Sequence, residues 1–148
     1  MIPLNPWEHQ NAIKALYSKC VDGVCVKHGI TRMELDILLF LANNPHFDTA
    51  TDIIEVRYLS KSQVSSSIKL LEQRGYLRKQ YLQCNRKTAH LKICQGAMDI
   101  IRDGQAAQGD FISIMLDGFS QEEITSMKQY NDQMMHNINT YLKRKETE

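Results

Sequence analysis

The apolar residues of this chain change period at one glycine, Gly75, and that change decides what its middle can become. Before Gly75, Val64, Ile68 and Leu71 recur at helical spacing and form one stripe of a period-3.6 helix. After it, Tyr76 to Leu82 and Ala89 to Ile93 are β-prone runs, separated by the polar, positively charged Gln83-Cys84-Asn85-Arg86-Lys87-Thr88. The pattern predicts a helix capped by Ser60, with Gln63 reaching back to the Ser60 N–H, and ended by Gly75 in a left-handed conformation. A hairpin with a basic tip follows. The polar face of the helix carries Ser62, Ser66, Lys69 and Gln73, groups short enough to let a helix enter a groove and suited to phosphates and base edges.

Charge sharpens this reading. From Arg57 to Lys92 there are nine Lys/Arg and one acid, Glu72, a net of +8. The whole chain has 18 basic and 17 acidic residues, so the remainder holds nine against sixteen, a net of −7. A near-neutral protein has concentrated half its cations in a quarter of its length. Binding a polyanion calls for such a segment, because each neutralised phosphate releases condensed counterions.

The 148 residues, 43% hydrophobic and 24% charged, suit one soluble domain with a real core. No apolar run approaches a membrane span, and no secretory signal opens the chain, which points to the cytoplasm and to four reduced cysteines. Asn5-Pro6-Trp7-Glu8 starts a first helix whose face is Ile13, Leu16, Tyr17, Cys20, Val21 and Val24, running to about Gly29. Thr31-Arg32-Met33-Glu34 caps a second, with Leu35, Leu38, Leu39 and Ala42 inward, stopped by Asn43-Asn44-Pro45. A third runs from Thr49 to about Arg57 with Ile53, Ile54 and Val56 inward; with the Tyr58-Leu59 turn and the Ser60 helix it makes a helix-turn-helix, and the hairpin makes it winged. Residues from about Gln95 to Leu116 are helical in pattern, through Met98, Ile101, Ile112 and Met115, and are weakened by Gly104 and Gly109. Beyond Asp117-Gly118, Ser120 to Glu123 is another capping box, and Ile124, Met127, Asn131, Met134, Ile138 and Tyr141 follow as a heptad seam. The first helix of the same chain could cover that seam; a second copy is the sharper reading, since one helix-turn-helix makes few contacts and usually works in symmetric pairs. The fold class is mainly α with a small β-hairpin wing: a winged helix-turn-helix core flanked by terminal helices.

This order of elements resembles the MarR family of bacterial transcription regulators over essentially the whole chain. Leu59-Ser60-Lys61-Ser62-Gln63-Val64-Ser65 looks like the family's recognition helix, and Leu71-Glu72-Gln73-Arg74-Gly75-Tyr76-Leu77-Arg78 like its exit into the wing. Two places depart from the family pattern: Asn85-Arg86-Lys87 stands for the usual Asp-x-Arg, and Ile93-Cys94-Gln95-Gly96 is one residue short of Leu-Thr-x-x-Gly. The resemblance implies one domain over 1–148, with a winged part at 31–94 and dimerisation helices at 5–29 and 95–144. It also implies a homodimer, usually a repressor, on a pseudo-palindromic operator, released by a small molecule, an oxidised thiol or a metal. Expected DNA contacts are Ser60, Lys61, Ser62, Gln63, Ser65, Ser66 and Lys69 on the helix, and Asn85, Arg86, Lys87 and Thr88 on the wing.

Other chemistry is sparse. Cys20, Cys25 and His28 lie close in sequence but do not supply the four positions zinc needs, so no metal is expected. Cys84 is the candidate redox thiol, beside Arg86 and Lys87, cations that favour a thiolate. Trp7, Tyr17 and Met33 are candidates for an effector pocket, although such residues at helical spacing more often serve a core. No phosphate-cradling loop, nucleophile elbow or paired carboxylates occur, and the five histidines are scattered, so neither an enzyme nor a cofactor is expected. Two functions remain: a sequence-specific double-stranded DNA-binding regulator, or a winged-helix adaptor that binds an acidic protein and no duplex.

Overall fold

The computed structural model describes residues 5–57 and 59–145; Tyr58, half of the expected turn, lies outside them. The elements are α1 (Pro6–His28), α2 (Arg32–Asn43), α3 (Ala50–Arg57), α4 (Lys61–Gln73), β1 (Leu77–Leu82), β2 (Asn85–Ile93), a 3-10 turn (Gln95–Ala97), α5 (Met98–Met115) and α6 (Gln121–Lys145). The fold is mainly helical with one antiparallel hairpin, as expected. The chain divides into two compact units, one ending at Phe111 and one from Ile112 onward; the winged part lies wholly in the first. Among the described residues, no helix is long and apolar enough to cross a membrane.

The centre of the first unit is α2. Its capping box is complete, Glu34 N–H donating to Thr31 Oγ1 at 3.1 Å and Thr31 N–H to Glu34 Oε1 at 3.1 Å. Leu35, Ile37, Leu38, Leu39, Phe40 and Leu41 are all buried, as in a helix with neighbours on every side. Val21 and Val24 of α1, Ile53 of α3, Val64, Ile68 and Leu71 of α4, Leu77 of β1, Leu91 of β2, and Ile100 and Ile101 of α5 belong to the same core. The apolar face of α1 is buried only towards its C-terminal end, and Ile13 is exposed.

Three details correct the sequence pattern. Val56 is 48% exposed, because Ile53 takes the inward position of the short α3 and leaves Val56 at its flank. In α5 only Ile101 of the four expected residues is buried; Met98, Ile112 and Met115 are exposed, and the buried line runs through Ile100, Ile101, Gly104 and Ala107. Gly104 is where α5 crosses α2: a Cβ there would stand 2.8 Å from Leu39 Cδ2 and 3.2 Å from Leu35 Cδ1. The residue that weakens the helix by propensity is the one that lets it pack.

The hairpin also differs from expectation. β2 begins at Asn85, so the turn is Gln83-Cys84 rather than the whole stretch to Thr88, and Tyr76 precedes the strand. Pairing runs Leu77↔Ile93 to Gln80↔His90 and resumes at Leu82↔Asn85, so Tyr81 alone faces the four residues Arg86 to Ala89. Asn85 causes the irregularity by offering the backbone a local partner: its Oδ1 accepts from Lys87 N–H at 3.0 Å and Thr88 N–H at 3.4 Å.

In the second unit Ser120 caps α6, donating its N–H to Glu123 Oε2 at 2.8 Å and accepting Glu123 N–H at 3.2 Å. None of the described residues of α6 is buried.

Candidate nucleic-acid interface

The helix α4 is held from one side only. Val64, Ile68 and Leu71 are buried, while Lys61, Ser62, Gln63, Ser65, Ser66 and Lys69 are exposed, as is Ser60 at the cap. Ser60 Oγ accepts Gln63 N–H at 3.5 Å, but Gln63 makes no return bond, so half of the expected capping box forms and the Gln63 amide stays outside it. The other end closes as anticipated: Gly75 has φ 77°, Tyr76 N–H donates to Leu71 O at 2.9 Å and Gly75 N–H to Glu72 O at 3.0 Å. On the polar face Ser66 donates to Ser62 O at 2.7 Å, and the hydroxyls of Ser60 and Ser62 lie 3.0 Å apart. The surface they leave is short-chained and polar, and the one acid of α4, Glu72, is turned to Lys79 at 3.3 Å.

The nine cations of the basic segment separate into two sets. Four are engaged internally: Arg57 with Asp36 at 3.5 Å, Arg74 with Glu34 at 3.8 Å, Lys79 with Glu72 at 3.3 Å and Lys92 with Asp48 at 3.3 Å. Among the described residues Lys61, Lys69, Arg78, Arg86 and Lys87 have no acidic partner, and all five are exposed. Two stand on α4, one on β1 and two on the wing. Such a set satisfies a minimum requirement for docking on phosphates, since a cation already neutralised by a carboxylate is less able to displace the counterions condensed on phosphates.

On the wing Arg86 and Lys87 are exposed and Thr88 is half-buried, accepting at Oγ1 from the Asn85 amide at 3.2 Å. Cys84 is exposed in the two-residue turn. The base of the wing is tied to the loop before α3: Leu91 N–H donates to Asp48 O at 2.7 Å, and the Asp48 carboxylate meets His90 Nδ1 at 2.7 Å and Lys92 Nζ at 3.3 Å. Burial opposes ionisation of Asp48, but the hydrogen bonds from His90 and Lys92 outweigh it and hold its carboxyl below the ordinary range. This clamp and Arg78 were not among the residues expected from sequence. Strand alternation from buried Leu77 puts Arg78 on the outer face and was the available signal; Asp48, 42 residues before His90, gave none.

A cleft of about 180 Å³ beside α2 and α3 is lined by Tyr17, Asp36, Leu39, Phe40, Val56 and Arg57, with Asn43, Asn44 and Gln108. Of the expected effector residues, Tyr17 is there; Met33 packs against the core and Trp7 is 74% exposed. Tyr17 is fixed by Arg32, whose guanidinium carbon lies 4.7 Å from the ring centroid, and by Phe111, edge-on at 5.2 Å. Arg32 also bonds Asp36 at 3.0 Å, and Asp36 reaches Arg57 at the end of α3.

His28 and Lys27 both reach Asp103 of α5, at 2.7 and 2.8 Å. The hydrogen bonds from Lys27 and then His28 lower the Asp103 carboxyl to about 2. Cys25 is half-buried, and burial raises its thiol above the ordinary value. Among the described residues no three His, Cys, Asp or Glu side chains gather as a metal site would require.

Residues 28–82 match the sequence model of the MarR family. No curated protein matches the chain. Solved structures share the fold over nearly its whole length. A MarR-family transcriptional regulator from Listeria monocytogenes complexed with a 26-mer DNA is 16% identical, with 93% of this chain and 90% of that one covered and a TM-score of 0.76. The S. aureus MepR–DNA complex is 13% identical, with coverages of 91% and 96% and a TM-score of 0.73. A MarR protein from Peptoclostridium difficile is 16% identical, with coverages of 95% and 93% and a TM-score of 0.74.

Proposed function

From a chain whose residues 28–82 match the MarR-family model, we propose a sequence-specific, double-stranded DNA-binding transcription regulator of the cytoplasm. It acts as a homodimer, most simply as a repressor, on a pseudo-palindromic operator. The observation that carries this reading is the division of the basic segment: Lys61, Lys69, Arg78, Arg86 and Lys87 are left outward and unpaired among the described residues, beside a polar face of α4 whose one acid, Glu72, is paired with Lys79. In this reading α4 enters the major groove, where Gln63 and Ser65 meet base edges, while Arg86 and Lys87 follow the backbone or the adjacent minor groove. The two neighbours solved with DNA support it.

The homodimer rests on the exposed apolar residues of α6 and on the need for two reading heads: half-sites one helical turn apart, about 34–36 Å, match a two-fold pair. Release by a small molecule is assigned to the cleft at Tyr17. A ligand there would meet Arg57, the last residue of α3, and so bear on the helix-turn-helix itself.

The test is selection from a random duplex library, followed by titration of the selected duplex over a salt series. The logarithm of affinity should fall linearly with the logarithm of salt, with a slope of about −0.9 for each phosphate engaged. A salt-independent affinity, or no selected sequence, would reject the reading and favour the acidic-protein adaptor.

A further inference from the structure

The residue that caps the C-terminal end of α4 is tied into the fold. Arg74 caps the helix, and its guanidinium donates from Nη1 to Gly29 O at 2.8 Å, 45 residues earlier in the chain. Gly29 ends α1 with φ 62°, in the corner where α1 gives way to α2. The same Nη1 lies 3.8 Å from Glu34 Oε2. Glu34 is 1% exposed; its Oε1 is used by the capping box, and its Oε2 has no hydrogen-bond partner. One guanidinium thus serves the carbonyl that ends α1 and the second oxygen of a buried carboxylate that begins α2.

We infer that Arg74 is a positioning residue for DNA reading: it fixes the inner end of α4 to the α1–α2 corner and contributes no phosphate contact. The inference rests on the proposed function and separates one cation of the basic segment from those assigned to the duplex. Its leverage is geometric. A helix of 13 residues is about 20 Å long, so a tilt of about 10° at Arg74 moves the Ser60 end by about 3 Å, the length of a hydrogen bond. Core packing by Val64, Ile68 and Leu71 holds α4 against the fold but is non-directional, whereas a guanidinium hydrogen-bonded to Gly29 O and drawn to the charge of Glu34 fixes an angle. Lysine, with a compact ammonium on a flexible stem, holds the carbonyl and the carboxylate in one geometry less well.

The experiment compares the full-length wild type with Arg74→Ala, Arg74→Lys and, as a phosphate-contact control, Lys69→Ala, on the duplex selected by the wild type, across a salt series. Arg74→Ala should lower affinity about tenfold at every salt concentration and leave the slope unchanged, with Arg74→Lys in between. Lys69→Ala should reduce the magnitude of the slope by about 1. A reduction of the slope by Arg74→Ala equal to that of Lys69→Ala would make Arg74 a phosphate contact and overturn the inference, as would unchanged affinity. If Arg74→Ala does not fold, Glu34→Gln decides, because it keeps an oxygen for the Thr31 N–H while removing the charge that faces Arg74. Glu34→Gln should weaken binding with the slope preserved, and unchanged affinity would overturn the inference. A flat salt response in the wild type would instead defeat the proposed function, so the two failures are distinguishable.

Discussion

Helices α4 and α6 are both amphipathic, and the fold treats them in opposite ways. The apolar stripe of α4 is buried and its polar face exposed. In α6 the heptad positions Met134, Ile138 and Tyr141 stand 50 to 59% exposed, with Met135 and Leu142 beside them. The first helix has its apolar requirement met at home and offers polar groups and cations outward. The second buries none of its described residues and offers apolar side chains. A partner for α4 must therefore be polar and anionic, and a partner for α6 must be apolar. The proposed function assigns duplex DNA to the first and a second copy of the chain to the second.

The largest effect that can break this contrast is Leu71→Ala. Loss of a fully buried leucine should cost about 2–5 kcal/mol in urea unfolding. Met134→Glu with Ile138→Asp should leave the helical circular dichroism in place and convert two-chain particles to one-chain particles in analytical ultracentrifugation. Particles of unchanged size would remove α6 from the interface. Next, Arg86→Ala with Lys87→Ala should weaken duplex binding by about ten- to a hundredfold, lower the salt slope by about 2 and keep the preferred sequence, whereas Gln63→Ala should change that sequence. If a binding-site selection returned the same outcome for both, the division into positioning and reading residues would be wrong.

Smaller effects test the supporting packing. Gly104→Ala gains about 1 kcal/mol of helix propensity but must displace Leu39, so a net loss of about 1 kcal/mol is expected, and a rise in melting temperature would contradict the crossing of α5 on α2. Smallest is the acid response at Asp103. Because its carboxyl is lowered from 3.8 to about 2, its pairing with Lys27 and His28 stabilises the fold fully above 3.8 and is lost as pH falls towards 2. Asp103→Asn should flatten that part of the stability curve. An identical acid limb in the variant would rule out the pairing as its cause.

Local signals made much of this legible in the sequence. Caps at Asn5, Thr31, Ser60 and Ser120, with glycines ending α1 and α4, set helix limits to within a residue or two. These depend on residues three or four apart, which a sequence displays directly. What stayed hidden depends on distant partners or on competition. Asn85 diverts the backbone of the wing into a local turn, so composition placed the tip correctly while strand pairing extended further into it. Gly104 looked like a weakness because the Leu39 it accommodates lies 65 residues away. The basic segment was visible as a sum, but which cations answer to Asp36, Glu34, Glu72 and Asp48 required the fold.

The wing offers the most direct test of the central idea, because Cys84 is exposed at its turn while Cys20, Cys25 and Cys94 are half-buried. An iron chelate tethered to Cys84 of the full chain, bound to its selected duplex, should cut both strands in two symmetric clusters flanking the site. Retained binding without localised cleavage, or cuts spread evenly along the duplex, would contradict a wing that lies on DNA.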